Sequence, residues 1–494
     1  MDILTLFVVV PTLTVIALML VKGKNNYRLV ALAGFVVQTL MSFNLIYQYL
    51  QERASGNHDI MVFTRDIVWF EPFNIHYAIG VDGISVLMIM LTSIIVLAGV
   101  FISWKVDDLP KEFFISLIVL ATGVFGFFIS VDMFTMFVFY EIAVIPMYLL
   151  IGIWGSGPRE YAAMKLTLML MGASAILLIG LLGLYFHSAP DGGQFTFNIF
   201  EIAKVDLPVE MQRIFFPLVF VGFGVIGALF PFHTWSPDGH ASAPTAVSML
   251  HAGVLMKLGG YGIFRIAMYL MPEGTHFWAN FFIVLATIGV VYGAYAAIKQ
   301  TDLKYINAYS SVSHLGLVLL GLLMINKVAW KGAMIQSLSH GFITALFFAM
   351  IGIIYGRTHT RIISKMSGLL VYIPVIGVIY VLAGLANLGL PGFSGFVAEM
   401  NIFVGAFEHA DTFHRVVTIL AASSIVVTAV YILRLVGKIL MGPPMEEYAD
   451  LPGITWYEKT GTFILLFFIT LIGTLPLWFG NIITDSIRPF IERL

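Results

Sequence analysis

The sequence predicts an all-α polytopic membrane protein with about fourteen transmembrane helices, and three observations support this. Hydrophobic residues make up 59% of the 494 residues and charged residues only 11%, against roughly 25% charged in soluble domains. The mean hydropathy is +0.94. Apolar runs long enough to cross a bilayer recur to the end of the chain, and no soluble domain fits between them.

The expected spans form a single membrane domain. In chain order they cover 3–21, 28–50, 81–103, 113–130, 132–154, 163–186, 213–232, 243–270, 278–298, 305–325, 332–355, 372–407, 415–440 and 460–485. The first run lacks a basic n-region, so we expect a retained helix rather than a cleaved signal. The domain divides into N-terminal helices (1–110), a first repeat (111–270), a second repeat (271–440) and a C-terminal helix (441–494).

Two predicted spans are interrupted by proline and glycine. The seventh ends in FPFHTWSPDGHASAP, and the twelfth contains LPGFSG at 390–395. The interruptions lie five spans apart, as in inverted-repeat transporters with ion sites near the bilayer midplane. We therefore expect two inverted repeats, about spans 4–8 and 9–13, with broken helices 7 and 12. The alternative is that proline and glycine are simply common in membrane helices.

Basic residues indicate how the chain is oriented in the membrane. Lysine and arginine are more frequent in the loops after odd-numbered spans than on the opposite face. Because basic loops remain in the cytoplasm, this bias places the odd-numbered loops there and both termini outside.

Three charged residues lie inside apolar runs: Glu141, Lys257 and Glu399. An ionised side chain at the bilayer centre costs at least ~2.5–3.5 kcal/mol, so it persists mainly beside a partner or a water-filled path. We interpret all three as proton carriers. The alternatives are a neutral hydrogen-bonded carboxyl at Glu141, a structural ion pair at Lys257 and a cap of the broken helix at Glu399.

Histidines form a second group of candidates, because an imidazole both donates and accepts a proton. They are His233, His240, His251, His314 and His340. Each could instead be a helix–helix contact, and His233 and His240 could be surface residues. A zinc site at His240 and His251 is less favoured, since they are too far apart for a single-helix pair and no third ligand is evident.

Several classes of function are excluded. The chain has no cysteine, which rules out thiolate-held iron–sulfur clusters, thiolate zinc sites and disulfides within it. No nucleotide-binding or hydrolase motif is present. A formal net charge of −2 gives no reason to expect nucleic acid.

Five segments resemble the antiporter-like membrane subunits of respiratory complex I: FPFHTWSPDGHASAPTAVSMLHAGVLMKLGGYGIFRI, FYEIAVIPMYLLIGIWG, IGVDGIS, KQTDLKYINAYSSVSHLG and LPGFSGFVAE. The resemblance covers nearly the whole chain. It implies a proton-translocating subunit of a quinone oxidoreductase in a bacterial plasma membrane. Flavin, iron–sulfur clusters and quinone are then expected in partner subunits, with no cofactor in this chain. The expected partners are the lipid bilayer and other membrane-arm subunits, especially antiporter-like subunits L and N.

The resemblance also implies roles for particular residues. Protons would enter from the cytoplasm past Glu141, the family's fifth-helix glutamate, and Lys257, its eighth-helix lysine. They would leave near Glu399, the exit-side glutamate. The polar-axis positions between them match Asp302, Lys304, His314 and His340, and Asp132 and His233 complete the candidate set.

Two features select among the family's paralogues. Subunit L carries a long C-terminal lateral helix, whereas this sequence ends after the fourteenth span. Subunit N and the Mrp-type Na⁺/H⁺ antiporters typically have a lysine after LPGFSGFVA, where this chain has Glu399. The alternatives are an Mrp-type antiporter subunit, an energy-converting hydrogenase subunit and a non-transporting structural subunit.

The chain departs from the family at one position. The family usually has a seventh-helix lysine seven residues before the FPFHTW histidine, where this chain has Ile226. No lysine occurs between Lys204 and Lys257, so the usual partner of Glu141 is missing. We hypothesise that His251 partly replaces it; the alternative is that His251 only packs.

The His251 hypothesis predicts a transport defect. Replacing His251 with leucine, which cannot ionise, should lower proton translocation by about tenfold or more, because a positioned proton-transfer group contributes on the order of 10²–10⁴ to a rate. The measurement is proton uptake into membrane vesicles, and unchanged pumping would contradict the hypothesis.

Overall fold

A computed structural model describes residues 2–189 and 193–494. Within these residues, twelve single helices are long and apolar enough to span a membrane. They are Ile3–Leu20, Lys24–Ala54, Gly83–Ile102, Pro110–Ile129, Met133–Trp154, Arg159–Phe186, Val209–Ile226, Thr245–Met268, Pro272–Lys299, Leu303–Leu323, Lys327–Thr358 and Thr412–Leu440. They are spans 1–11 and 13 of the order expected from the sequence.

Two further spans are built from helix pairs. Pro374–Asn387 and Ser394–Phe407 flank a break and together form span 12. Trp456–Thr474 and Pro476–Ile491 form span 14 and are bent by 78°. By length and composition the described residues hold twelve spans, or thirteen with this bent pair, and the predicted fourteen is reached when the two half-helices of span 12 are counted as one more. The span predicted over 460–485 is divided into two helices, because Pro476 starts a new helix in a different direction.

Span 7 is broken as the sequence predicts. Its helix ends at Ile226, the chain turns, and a short helix, Trp235–Ser242, leads into span 8. The Trp235 indole donates a hydrogen bond to the Val225 carbonyl at 3.1 Å. This bond occupies one of the carbonyls that the end of a helix leaves free.

The first turns of spans 5 and 10 are built alike. Asp132 caps span 5 and pairs with Asn198 in an isolated β-bridge, and Asp302 caps span 10 and pairs with Ile362 in the same way. The two aspartates are five spans apart, like the breaks in spans 7 and 12. The correspondence agrees with the repeat expected from the sequence.

A β-hairpin lies between spans 2 and 3. Strands Val62–Phe70 and Ile75–Val81 pair antiparallel. No span is predicted between residues 50 and 81, so the hairpin is an addition to an otherwise helical fold. Most of its first strand is exposed, which hides the alternating pattern that marks a half-buried strand.

Both termini lie on one face of the molecule. Asp2 forms an ion pair with Arg65 of the hairpin at 2.6 Å, and the Arg493 guanidinium donates to the Tyr269 carbonyl, between spans 8 and 9, at 2.6 Å. Both contacts are with segments that follow even-numbered spans. We call this side the terminal face.

A buried ion pair joins the two spans that lie entirely inside the molecule, spans 3 and 8. Arg265 Nη2 lies 2.6 Å from Asp82 Oδ2, and each side chain is only 1% exposed. Asp82 also caps span 3 by accepting from the Ser85 amide at 2.9 Å. The Tyr261 hydroxyl contacts both Ser85 and Arg265. Asp82 therefore both balances a buried charge and orders a helix end.

Removing Asp82 should be costly. Asp82→Ala leaves Arg265 buried without its partner, a loss of about 3–5 kcal/mol for such pairs. The melting temperature of the detergent-solubilised protein should fall sharply. The control is Asp107→Ala, which removes exposed ion pairs with Lys24 and Arg28 and should leave the melting temperature unchanged. Equal effects of the two variants would contradict the structural role of Asp82.

Candidate functional site

Four predicted site residues form a continuous buried row across spans 8, 11, 10 and 12. Lys257 Nζ lies 2.8 Å from His340 Nδ1. The His340 and His314 rings are 5.3 Å apart between centroids, and His314 Nδ1 lies 3.4 Å from Glu399 Oε1. All four side chains are buried. We call them the central row.

The backbone of span 8 is distorted on both sides of Lys257. Two π-helical segments, His251–Leu255 and Ile263–Met268, enclose the α-helical turn that begins with Lys257. The Lys257 ammonium donates to the Ala252 carbonyl in the first of these segments. Such π-segments are common at functional sites because they re-aim side chains and loosen the helical hydrogen bonds.

His314 Nδ1 has both an acceptor and a donor within reach. Its Nδ1 faces the Glu399 carboxylate and also the Gln336 side-chain amide, at 3.2 Å. A protonated Nδ1 donates to Glu399, and a deprotonated Nδ1 accepts from Gln336. A cavity of about 10 Å³ lies against His314 and Glu399 and is also lined by Ser424 and Thr428. This volume is close to that of one water position.

Glu399 does not cap its half-helix. It is the sixth residue of Ser394–Phe407, and its contact is with His314. The Ser394 hydroxyl is instead bonded to Ser339 of span 11 at 2.7 Å. The capping alternative is therefore wrong, and the carboxyl points into the central row.

A second polar cluster lies toward the face opposite the terminal face. Lys304 is buried and donates to the Ala243 carbonyl. Asp238 forms an ion pair with Lys165 at 2.6 Å and accepts from the Tyr305 hydroxyl at 3.0 Å. Lys165, Asp238 and Tyr305 are not among the residues proposed from the sequence.

Asp302 lies next to this cluster but is used structurally. It caps span 10 and pairs with Arg361 at 3.1 Å. Both side chains are partly exposed. The pair fixes the start of the helix that carries Lys304 and His314.

His251 contacts another histidine rather than Glu141. The His251 and His240 ring centroids are 4.1 Å apart, and Trp235 stacks on the other side of His251 at 5.1 Å. Both imidazoles are fully buried. In the described residues, neither ring nitrogen of His251 has a hydrogen-bond partner. The alternative that His240 is a surface residue is wrong.

Glu141 forms no hydrogen bond or ion pair with the central row in the described chain, and its side chain is partly exposed. Ile145 and Tyr148, one and two turns further along span 5, are 61% and 44% exposed. The Glu141 Oε1 atom has no hydrogen-bond partner within the described chain. Ile226, which stands where the family has a lysine, is fully buried and apolar.

The remaining two candidates also lie away from the row. His233 is buried in the break of span 7, against the rings of Phe230 and Tyr292, so the surface alternative is wrong for it too. Asp132 caps span 5 and accepts from the Thr135 amide at 2.8 Å. Burial raises the pKa of the Asp132 carboxyl, which precedes the helix, to about 6.

Comparison with known proteins shows the family to which the chain belongs. Residues 130–428 match the family model described as NADH:quinone oxidoreductase/Mrp antiporter, TM. The chain therefore belongs to the NADH:quinone oxidoreductase/Mrp antiporter family of membrane proteins. It is 33% identical to NAD(P)H-quinone oxidoreductase chain 4-2 of Synechocystis sp., over 98% of this chain and 86% of that protein.

A second relative is NADH-quinone oxidoreductase subunit M of Rhodobacter capsulatus, which is 34% identical over 95% of this chain and 90% of that protein. These relatives are named chain 4 and subunit M, which agrees with the glutamate at position 399 that sets the chain apart from subunit N. Among solved structures, respiratory complex I from Thermus thermophilus with bound NADH contains a similar chain, with a TM-score of 0.88, 24% identity and 99% of both chains covered.

The Mrp complex from Dietzia sp. also contains a chain of this fold. Its TM-score is 0.84 at 22% identity, with 99% of this chain and 98% of that chain covered. At these sequence identities the similarity to solved structures is evidence for the fold alone. They confirm the predicted all-α polytopic architecture.

Because the helices pack closely beside the central row, replacing one glycine there should strongly destabilise the protein. A Cβ added at Gly341, next to His340, would lie 2.7 Å from the Gly253 carbonyl in the first π-segment, whereas one added at Gly356 on the same helix would meet nothing. Gly341→Ala should therefore push spans 8 and 11 apart and destabilise the protein by about 1–3 kcal/mol. Gly356→Ala should be neutral or slightly stabilising.

Thermal melting of both variants in detergent checks this prediction. A crosslink between cysteines introduced on spans 8 and 11 should form more slowly in the Gly341→Ala background. Similar melting temperatures for Gly341→Ala and Gly356→Ala would contradict the tight contact.

Proposed function

We propose that this chain is a proton-translocating membrane subunit of a complex I-like quinone oxidoreductase. The observation that carries the proposal is the central row, in which Lys257, His340, His314 and Glu399 lie in sequence inside the membrane domain. The names of the relatives, chain 4 and subunit M of quinone oxidoreductases, support the same function. The transported substrate of this chain is the proton itself.

Proton movement along the row is a series of ordinary transfers. The Lys257 ammonium gives a proton to His340 Nδ1, and His340 releases another from Nε2. His314 takes up a proton at its own Nε2, through a bridging water, and releases one from Nδ1 to Glu399. In the described residues the Nε2 atoms of both histidines lack partners, as this step requires. Each imidazole thereby changes from one tautomer to the other. Each must return to its first tautomer before the next proton can pass.

We propose that protons enter from the cytoplasmic side and leave at the terminal face. The bias of basic residues supports this direction, since it places the face opposite the termini in the cytoplasm. Lys304 and the Lys165–Asp238 pair lie toward that face. In this scheme the buried His240–His251 pair joins the entry side to Lys257, which gives His251 a role that does not depend on contact with Glu141.

The redox chemistry belongs to other subunits in this proposal. The chain has no cysteine for an iron–sulfur cluster, and flavin and quinone are expected in partner subunits. Glu141 is a reason to expect that other membrane-arm subunits contact this chain directly. The expected neighbours are subunits L and N. The helix that carries Glu141 presents an exposed face, and in the described chain the buried Oε1 atom of Glu141 has no hydrogen-bond partner, which is costly inside a membrane. A neighbouring subunit that covers this face would supply the partner that Ile226 cannot.

The two repeats, residues 111–270 and 271–440, would have different roles in proton transport. Asp132 and Asp302 start matching helices, but the first repeat has Ile226 before its break and the second has Glu399 after its own. In this proposal the second repeat therefore carries the exit. The same glutamate separates the chain from Mrp-type Na⁺/H⁺ antiporters, the alternative function.

Lys257→Met tests the proposal in the assembled complex. Methionine keeps the length and apolar stem of lysine but carries no proton, so proton translocation should fall by about 10²-fold or more. Quinone reduction in uncoupled membranes should persist. The control is Lys327→Met, at an exposed lysine at the start of span 11, which should pump normally.

Normal pumping by Lys257→Met would overturn the proposed pathway. If Lys257→Met prevents assembly, Glu399→Gln interrupts the same row at its other end and should give the same loss of pumping. Assembly failure in both variants would favour the structural-subunit alternative.

A further inference from the structure

Three residues with metal-binding side chains meet at the terminal face, outside the central row. His409, Asp411 and His414 each offer one ligand atom, and the three atoms lie within 4.8 Å of one another. His409 follows the end of span 12, and His414 is in the first turn of span 13. They take no part in the proposed proton pathway.

The His409 ring is already oriented for a ligand. Its Nε2 donates to the Met324 carbonyl, just after span 10, at 2.7 Å. The proton is thereby fixed on Nε2, which leaves the Nδ1 lone pair free. Metal-binding histidines almost always make such a bond to a carbonyl or carboxylate with their second nitrogen.

Asp411 and His414 are held next to this ring. The Asp411 carboxylate caps span 13 by accepting from the His414 amide at 3.0 Å, and its second oxygen lies 2.7 Å from His414 Nδ1. The His409 and His414 rings stack with centroids 4.2 Å apart. The three side chains therefore need only small movements to share one ion.

We propose that His409, Asp411 and His414 form a binding site for a zinc-class divalent cation. Two imidazole nitrogens and one carboxylate oxygen are a ligand set that Zn²⁺ prefers, with water in the remaining position. Ca²⁺ and Mg²⁺ prefer sites made of oxygen atoms. The cation takes the place of the proton shared by Asp411 and His414.

The location suggests what the cation does. It would join the ends of spans 12 and 13 directly, and span 10 through the His409–Met324 bond. Residues of these three spans line the cavity beside Glu399. Glu399 is eight residues before the helix end at Phe407, or roughly 12 Å at 1.5 Å per residue. A bound cation would hold this half-helix in place and slow proton release, a consequence that rests on the proposed function.

Binding can be measured without any transport assay. The purified complex should bind Zn²⁺ by calorimetry, and bound Co²⁺ should show the visible absorption of a four- or five-coordinate site. His414→Phe keeps a ring for stacking but removes the ligand, so affinity should fall at least tenfold and the absorption should be lost. The matched control, His58→Phe, replaces an exposed histidine elsewhere on the terminal face and should bind as the wild type does.

Equal Zn²⁺ affinity in the wild type and His414→Phe would overturn the site. Binding of Ca²⁺ in preference to Zn²⁺ would overturn the proposed class of cation. The transport consequence is tested separately: Zn²⁺ should slow pumping several-fold in the wild type and not in His414→Phe. Retained binding without this inhibition would refute only the restraint on span 12. The Lys257→Met result is independent of either outcome.

Discussion

A polar group inside a bilayer has to find its partners within the protein, because hydrocarbon offers none. This constraint explains where the irregular backbone of this chain occurs. The π-segments of span 8 lie in a helix that is buried inside the protein. The break in span 7 is closed by the Trp235–Val225 bond, and the break in span 12 adjoins the helix that carries Glu399. Irregularity and charge therefore occur together in the interior.

The same constraint separates two kinds of buried charge. Arg265 and Asp82 are satisfied by each other and by a helix end, which suits a permanent bond. In the central row each ionisable group faces another group that can also exchange a proton, and among the described residues Nε2 of His314 and Nε2 of His340 have no hydrogen-bond partner. Such under-satisfied groups are costly in a static core. A proton path requires such groups, because a group whose hydrogen bonds are all satisfied releases its proton less readily.

Much of the fold could be predicted from the sequence, since a spanning helix is a local pattern of apolar residues. The breaks were visible as Pro231 and Pro391, and Glu141, Lys257 and Glu399 stood out as isolated charges. What the sequence could not show depends on contacts between distant segments. Lys257 and His340 are 83 residues apart, and the π-segments carry no distinctive motif. Whether Glu141 contacts the row depends on which face of span 5 packs inward.

The central claim is that His340 and His314 act in series on one route. The most direct test is a double-mutant cycle with His340→Gln and His314→Gln, measuring the residual rate of proton translocation per quinone reduced. If the two residues act in series, the double variant pumps no more slowly than the slower single variant. If the losses multiply instead, the histidines contribute independently, and the single row of Lys257, His340, His314 and Glu399 is contradicted.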